Sequence, residues 1–156
     1  MFEVATYSPT DVHLVISGYS IIGWNSISIT RTTPEYKMIR GIRGKHTRAR
    51  SQDTSCSLSI SLSQASSTND VFSQILEKDR ETGNGRLTII LKDNSGSSKF
   101  ESNEAYIIGY PTSSYTDGFE SREWTIFCQT TSQFVVGGNS VPPKDLTKTL
   151  FNLLGI

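Results

Sequence analysis

The sequence has no apolar run approaching the ~20 residues that a membrane-spanning helix needs, so no membrane anchor is expected. It has no excess of either charge, because 15 lysines and arginines offset 15 aspartates and glutamates. That balance argues against a dedicated duplex-DNA binder, whose surface is usually basic. It has only two histidines. His13 lies in a strand-like run and His46 in a basic stretch, with no cysteine or carboxylate at ligand spacing, so a zinc site is not expected. Cys56 and Cys128 each sit beside apolar residues of strand-like runs. They read as two buried thiols in a reducing compartment, with a disulfide left open until geometry decides. Met1-Phe2-Glu3 has neither the basic start nor the apolar run of a secretory signal, so the cytosol is the expected place of synthesis and retention. Hydrophobic residues are also few, at 35%, and serine and threonine take their place. Such a composition fits sheets with one polar face, or a surface completed by neighbouring subunits.

Catalytic constellations are missing as well. Gly83-Asn84-Gly85 is followed by neither Lys-Ser nor Lys-Thr, so it is no phosphate loop. No serine stands in a Gly-x-Ser-x-Gly elbow. Glu101, Glu104, Glu120 and Glu123 could supply paired carboxylates, but they alternate with polar residues near turns and read as a solvated face. The chain is expected to be no enzyme and to need no cofactor or metal.

What is present is a steady series of strand signals in a chain of 156 residues, the size of one ordinary domain. Asp11 to Ser17 alternates, with Val12, Leu14 and Ile16 on one face. Tyr19 to Ile22 resumes after Gly18, and Ser26 to Arg31 sets Ile27 and Ile29 against Ser26, Ser28 and Thr30. Thr54 to Gln64 is the clearest strand: Cys56, Leu58, Ile60 and Leu62 point one way and Ser57, Ser59, Ser61 and Ser63 the other. A slip of one residue would reverse those faces, so the register is tightly set. The period then changes. Asp70 suits the positive end of a helix dipole, Val71, Phe72, Ile75 and Leu76 recur at helical spacing, and Gly83 stops the run, predicting a helix over about 69–81. Strands are expected again over Leu87 to Lys92, Lys99 to Gly109, Phe119 to Thr130 and Phe134 to Val136, with a turn at Asp93 to Gly96. Beyond Pro142-Pro143, Lys144 to Leu154 carries Leu146, Leu150, Phe151 and Leu154 on one side of a possible short helix. The fold class is α+β, mainly β: an antiparallel barrel or sandwich with one packed helix.

Residues 36–52 contain no acid and six bases, Lys37, Arg40, Arg43, Lys45, Arg48 and Arg50, punctuated by Gly41 and Gly44. This stretch reads as a long loop or an exposed hairpin. A solvated loop is the favoured reading, then a protein interface, then nucleic acid, which would want more interleaved aromatics than Tyr36.

Taken in order, several strings resemble the tail tube proteins of contractile-tailed phages. They are Tyr7-Ser8-Pro9-Thr10-Asp11-Val12 at the start, and Thr54 to Gln64 running into Ser66-Ser67-Thr68-Asn69-Asp70-Val71. Asp79-Arg80-Glu81-Thr82-Gly83 leading to Leu87-Thr88-Ile89, Arg122-Glu123-Trp124-Thr125, and Phe134-Val135-Val136-Gly137-Gly138-Asn139 complete the set. The resemblance runs from about Tyr7 to Asn139. It implies a tube domain over 1–139 and a C-terminal extension over 140–156. It further implies subunits that form six-membered rings, whose strands join in one inner barrel and whose rings stack helically into a hollow tube. The implied partners are further copies of the chain, sheath, tape-measure and baseplate proteins, and DNA that passes without specific binding. The implied place is the inner tail of a virion assembled in host cytoplasm. Residues 36–52 would be the loop that reaches an adjacent subunit or ring. Ser26, Ser28, Thr30, Ser57, Ser59, Ser61 and Ser63 are expected to face the channel, since a cationic lining would hold phosphate. A tube of a tailocin or secretion system is the nearest rival, and a small barrel binding an apolar ligand the rival of another class.

Overall fold

The computed structural model describes residues 7–139 and 152–155. A single 3-10 turn at Pro9–Asp11 leads into β1 (Val12–Ile16). β2 (Tyr19–Ser20) folds back on β1 through Ser17, at φ 49, and Gly18, at φ 87. The long β3 (Trp24–Arg31) follows. β4 (Tyr36–Arg40) and β5 (His46–Arg50) form a separate two-stranded hairpin. β6 (Cys56–Ser63) leads to helix α1 (Thr68–Thr82). β7 (Leu87–Asp93), β8 (Lys99–Ile107), β9 (Ser121–Thr130) and β10 (Gln133–Val135) complete the order.

The main sheet runs β2-β1-β7-β8-β9-β6-β3, with β10 pairing β8, and every pair is antiparallel. The path never closes on itself, so among the described residues there is no closed barrel. The barrel or sandwich expected from the sequence is, within one chain, an open sheet bounded by β3 on one side and by β1 with the two-residue β2 on the other. Three register shifts bend it, at Trp24/Ser26, Leu87/Ile89 and Glu104/Ala105, since an extra residue on one strand sharpens the local twist. β9 and β10 keep nearly one register against β8, from Ala105 opposite Cys128 to Lys99 opposite Val135.

The core follows from the alternation. On β6 Cys56, Leu58, Ile60 and Leu62 are buried, and their direct partners on β9 are Cys128, Ile126, Trp124 and Arg122. Leu14, Ile16, Ile89, Phe100, Ala105 and Ile107 carry the same face across the rest of the sheet. Helix α1 covers this face with Phe72 and Leu76 buried and Ile75 packed alongside. The Phe72 ring meets Trp124 edge-on, 5.4 Å between centroids at 74°. The Trp124 indole donates to Asn69 Oδ1 at 3.0 Å, so the large side chain sinks its apolar body and satisfies its one donor.

The start of α1 is held by its neighbours. The Ser67 side chain makes no capping hydrogen bond; the Ser66 hydroxyl accepts from the Thr68 amide, at 3.2 Å. Asn69 donates to the carbonyls of Ser63 and Ser66, tying the helix start to the end of β6. The other end is as expected, with Gly83 left-handed at φ 72 and its amide on Asp79 O. Most of the expected C-terminal helix over Lys144 to Leu154 lies outside the described residues; residues 152–154 are helical.

Candidate functional site

Three surfaces lack a partner among the described residues. The first is the edge of β3. Its eight residues pair β6 on one side and nothing among the described residues on the other. Trp24, Ile27 and Ile29 are only half-buried there. Together with Val12, Leu91, Phe134 and Val136 they line a cavity of about 560 Å³ that separates β3 from β1, β7 and β10. A buried sheet has no water to satisfy edge amides, and an exposed edge is a template for another strand.

The second is the hydroxyl face, opposite α1. The register places Ser26 opposite Ser61, Ser28 opposite Ser59 and Thr30 opposite Ser57. Six of the seven hydroxyl residues singled out in the sequence therefore stand as cross-strand pairs. Ser63 continues the row, opposite Ser121. The β9 neighbours of this row are Glu123, Thr125 and Phe127, which the sequence reading did not assign to it. The Ser59 hydroxyl donates to Glu123 Oε1 at 3.1 Å. The face is thus hydroxylic with an exposed carboxylate, and no base of β3 or β6 lies on it, since Arg31 stands opposite Cys56 with the parity of Ile27 and Ile29. Only the cross-strand register could have brought Glu123 in.

The third is the hairpin. Among the described residues β4 and β5 pair only with each other, with Tyr36 opposite Arg50, Met38 opposite Arg48 and Arg40 opposite His46. All six bases read from the sequence are exposed, and the stretch is a formed hairpin, the second of its two expected forms. Arg48 lies over the Tyr36 ring, 4.1 Å from guanidinium carbon to centroid. Gly44, at φ 81, closes the tip, where Ile42 is wholly exposed beside Arg43 and Lys45. Met38 and Ile39 are about half exposed as well, at 60% and 48%. A two-stranded hairpin alone is marginal in water, and apolar side chains on it mark a surface made to be covered.

The hairpin root is fixed more firmly. Asp53 Oδ1 accepts from the Ser55 amide at 2.9 Å and Oδ2 from the Thr33 hydroxyl at 2.8 Å. Arg31 and Glu35 form the one ion pair among the described residues. A cleft of about 390 Å³ between Pro34, Tyr36, Ala49 and Arg50 marks where the hairpin leaves the body.

The residues weighed for chemistry are dispersed. His13 is exposed on β1 and His46 on β5. Cys56 and Cys128 face each other across β6 and β9 as free, buried thiols. Glu101 and Glu104 are half-buried on β8, where Glu104 accepts from the Tyr106 hydroxyl at 3.0 Å. Among the described residues no group of three or more His, Cys, Asp or Glu side chains is placed to hold a metal, and no helix is long and apolar enough to cross a membrane.

Comparison with known proteins follows the same lines. No family model matches the chain. It is similar to the structural protein ORF10 of Pseudomonas phage KPP10, 31% identical over 148 residues that cover 88% of this chain and 85% of that one. In fold it is similar to the tube-terminating cap of the anti-feeding prophage, solved by cryo-electron microscopy. That match has a TM-score of 0.57 at 8% identity, over 86% of this chain and 95% of the cap.

Proposed function

Because the chain belongs to the family of the phage structural protein ORF10, we propose that it is a structural subunit of a phage tail, and that it self-assembles into the inner tube. The observation that carries this reading is the open sheet: among the described residues nothing pairs the outer edge of β3, an edge that identical copies around an axis would complete. Rings of six follow the resemblance described above. Their strands join into one inner barrel, and the rings stack into a hollow conduit. Sheath, tape-measure and baseplate proteins are its partners in the virion, and no cofactor is used.

In this reading the hydroxyl face lines the bore. Ser26, Ser28, Thr30, Ser57, Ser59, Ser61 and Ser63 offer hydrogen bonding without positive charge, and Glu123 adds a charge that repels phosphate. DNA then passes without being held, since binding to a duplex rests chiefly on basic side chains meeting phosphate. The bases Lys37, Arg40, Arg43, Lys45, Arg48 and Arg50 lie away from the bore, on the hairpin that bridges to a neighbour. Residues 140–156 are an addition to the tube domain.

Electron microscopy of the purified protein tests the proposal. Stacked rings with a central channel are expected. A chain that stays monomeric at every concentration overturns assembly, and rings that never stack overturn the tube. A map with the hairpin bases lining the channel overturns the assignment of faces. The same architecture serves a tailocin, and capsid and terminase genes beside this one are the discriminator.

A further inference from the structure

The hairpin has a structural counterpart at the other end of the molecule. Residues 108–120 join β8 to β9 without regular structure, and they hold four exposed apolar side chains: Ile108, Tyr110, Tyr115 and Phe119. Tyr115 and Phe119 are 76% and 79% exposed, the reverse of where aromatic rings settle when nothing is meant to cover them. The loop carries two acids, Asp117 and Glu120, and no base. It is held in shape: Ile108 N donates to Thr125 O, the Glu120 amide donates to Gln64 Oε1 at 3.0 Å, and the Thr116 hydroxyl donates to Glu120 Oε1 at 3.0 Å. The one nearby base, Arg122, is turned inward under the Tyr115 ring, 5.3 Å from its centroid.

The strand register places the two features. The hairpin springs from the end of β3 and the start of β6, where Arg31 stands opposite Cys56. The loop enters β9 at Ser121, opposite Ser63 at the far end of β6. β6 is eight residues long, so at ~3.3 Å per residue roughly 25 Å separate the two attachment points. One end of the strands presents six bases with Met38, Ile39 and Ile42. The other presents two acids with Tyr110, Tyr115 and Phe119.

We propose that residues 108–120 are the receptor for the 36–50 hairpin of a second copy, in a head-to-tail contact directed along the strands. Arginines stack on exposed aromatic faces and pair with carboxylates, and Ile42 and Met38 supply apolar area to the same rings. A contact between two different patches of one chain is heterologous and does not close on itself when it advances along an axis. It therefore generates an open stack, where a two-fold contact would stop at a dimer. The inference rests on self-assembly as proposed above and names the surface that sets its direction. It selects Asp117 and Glu120 over Glu101 and Glu104, which stand opposite Gln133 and Thr130, beyond Cys128 and so toward the hairpin's own end of the strands.

Charge exchange tests it. Arg48→Glu with Arg50→Glu, and separately Asp117→Lys with Glu120→Lys, should each raise the concentration at which sedimentable polymer appears about tenfold or more, because like charges then face each other. All four changes in one chain should restore assembly. Glu101→Lys with Glu104→Lys should leave it unchanged. Circular dichroism and thermal melting check that each variant folds. Single cysteines give an independent readout: Ile42→Cys mixed with Tyr115→Cys, treated with a short bismaleimide, should yield linked dimers, and neither variant alone should. If the wild type never polymerises, self-assembly and this inference fail together. If the wild type polymerises, and so does the Asp117→Lys, Glu120→Lys variant with no cross-link between positions 42 and 115, only the receptor assignment fails.

Discussion

At the root of the hairpin, hydrogen bonds from Ser55 and then from the Thr33 hydroxyl hold the Asp53 carboxyl down to about 2, from an ordinary 3.8. A carboxyl depressed on folding stabilises the protein at pH values above its unfolded value, and that contribution disappears as pH falls through the folded value. The window is therefore between about pH 4 and pH 2. Asp53→Asn is expected to lower the melting temperature at pH 7 and to flatten its decline across that window, as thermal melts in a pH series would report. The cysteines make a second case at this scale. Both are wholly buried, and burial pushes the Cys128 thiol up to about 11. Native protein at pH 8 should thus leave both thiols unreacted with a thiol-specific chromogen, and denatured protein should expose two.

Helix α1 is held by packing more than by its ends. Phe72 is fully buried and meets the Trp124 ring edge-on. Phe72→Ala removes a large ring from a packed site and should cost about 3–5 kcal/mol in denaturant unfolding, with Trp124 emission shifting to the red. Gly83 presents the opposite case. It is left-handed with open space around its missing side chain, so an added methyl clashes only with its own backbone. Gly83→Ala should then cost about 1–2 kcal/mol, the strain of an L residue in that conformation. The difference between the two substitutions separates tertiary packing from local geometry.

For the whole molecule, the prediction concerns salt. If copies meet through a basic hairpin and an acidic, aromatic loop, raising ionic strength from about 0.05 M to 1 M shortens the Debye length to about 3 Å and should weaken assembly. Sedimentation of the wild type across that range would show it. Assembly driven by edge pairing and apolar burial alone would be unmoved or strengthened, so the slope apportions the contact between charge and burial.

The element order was legible because period-two alternation and helical spacing are local properties. β6 was readable to within two residues at its start and one at its end, since Cys56-Ser57-Leu58-Ser59-Ile60-Ser61-Leu62-Ser63 alternates without exception. Gly83 was readable as a helix stop because only glycine takes that φ freely. The six bases were legible as one exposed group, since no acid interrupts them. The helix start was legible to within a residue, but not its cap, because several adjacent side chains could serve and only the approach of β6 selected Ser66 and Asn69. Residues 108–120 gave no signal of their own, since an irregular loop has no period.

The sequence by itself determined which residues turn inward, because a buried face must be apolar and alternation admits one register. It determined the sign and isolation of the hairpin charge for the same local reason. What only the tertiary structure decided is which distant segments share a face, an edge or an end. Glu123 joins the hydroxyl row through cross-strand register, the sheet stays open because no strand among the described residues pairs the outer side of β3, and the hairpin and the aromatic loop fall at opposite ends of β6. Those relations depend on pairing between residues far apart in the chain, and no window of neighbouring residues contains them.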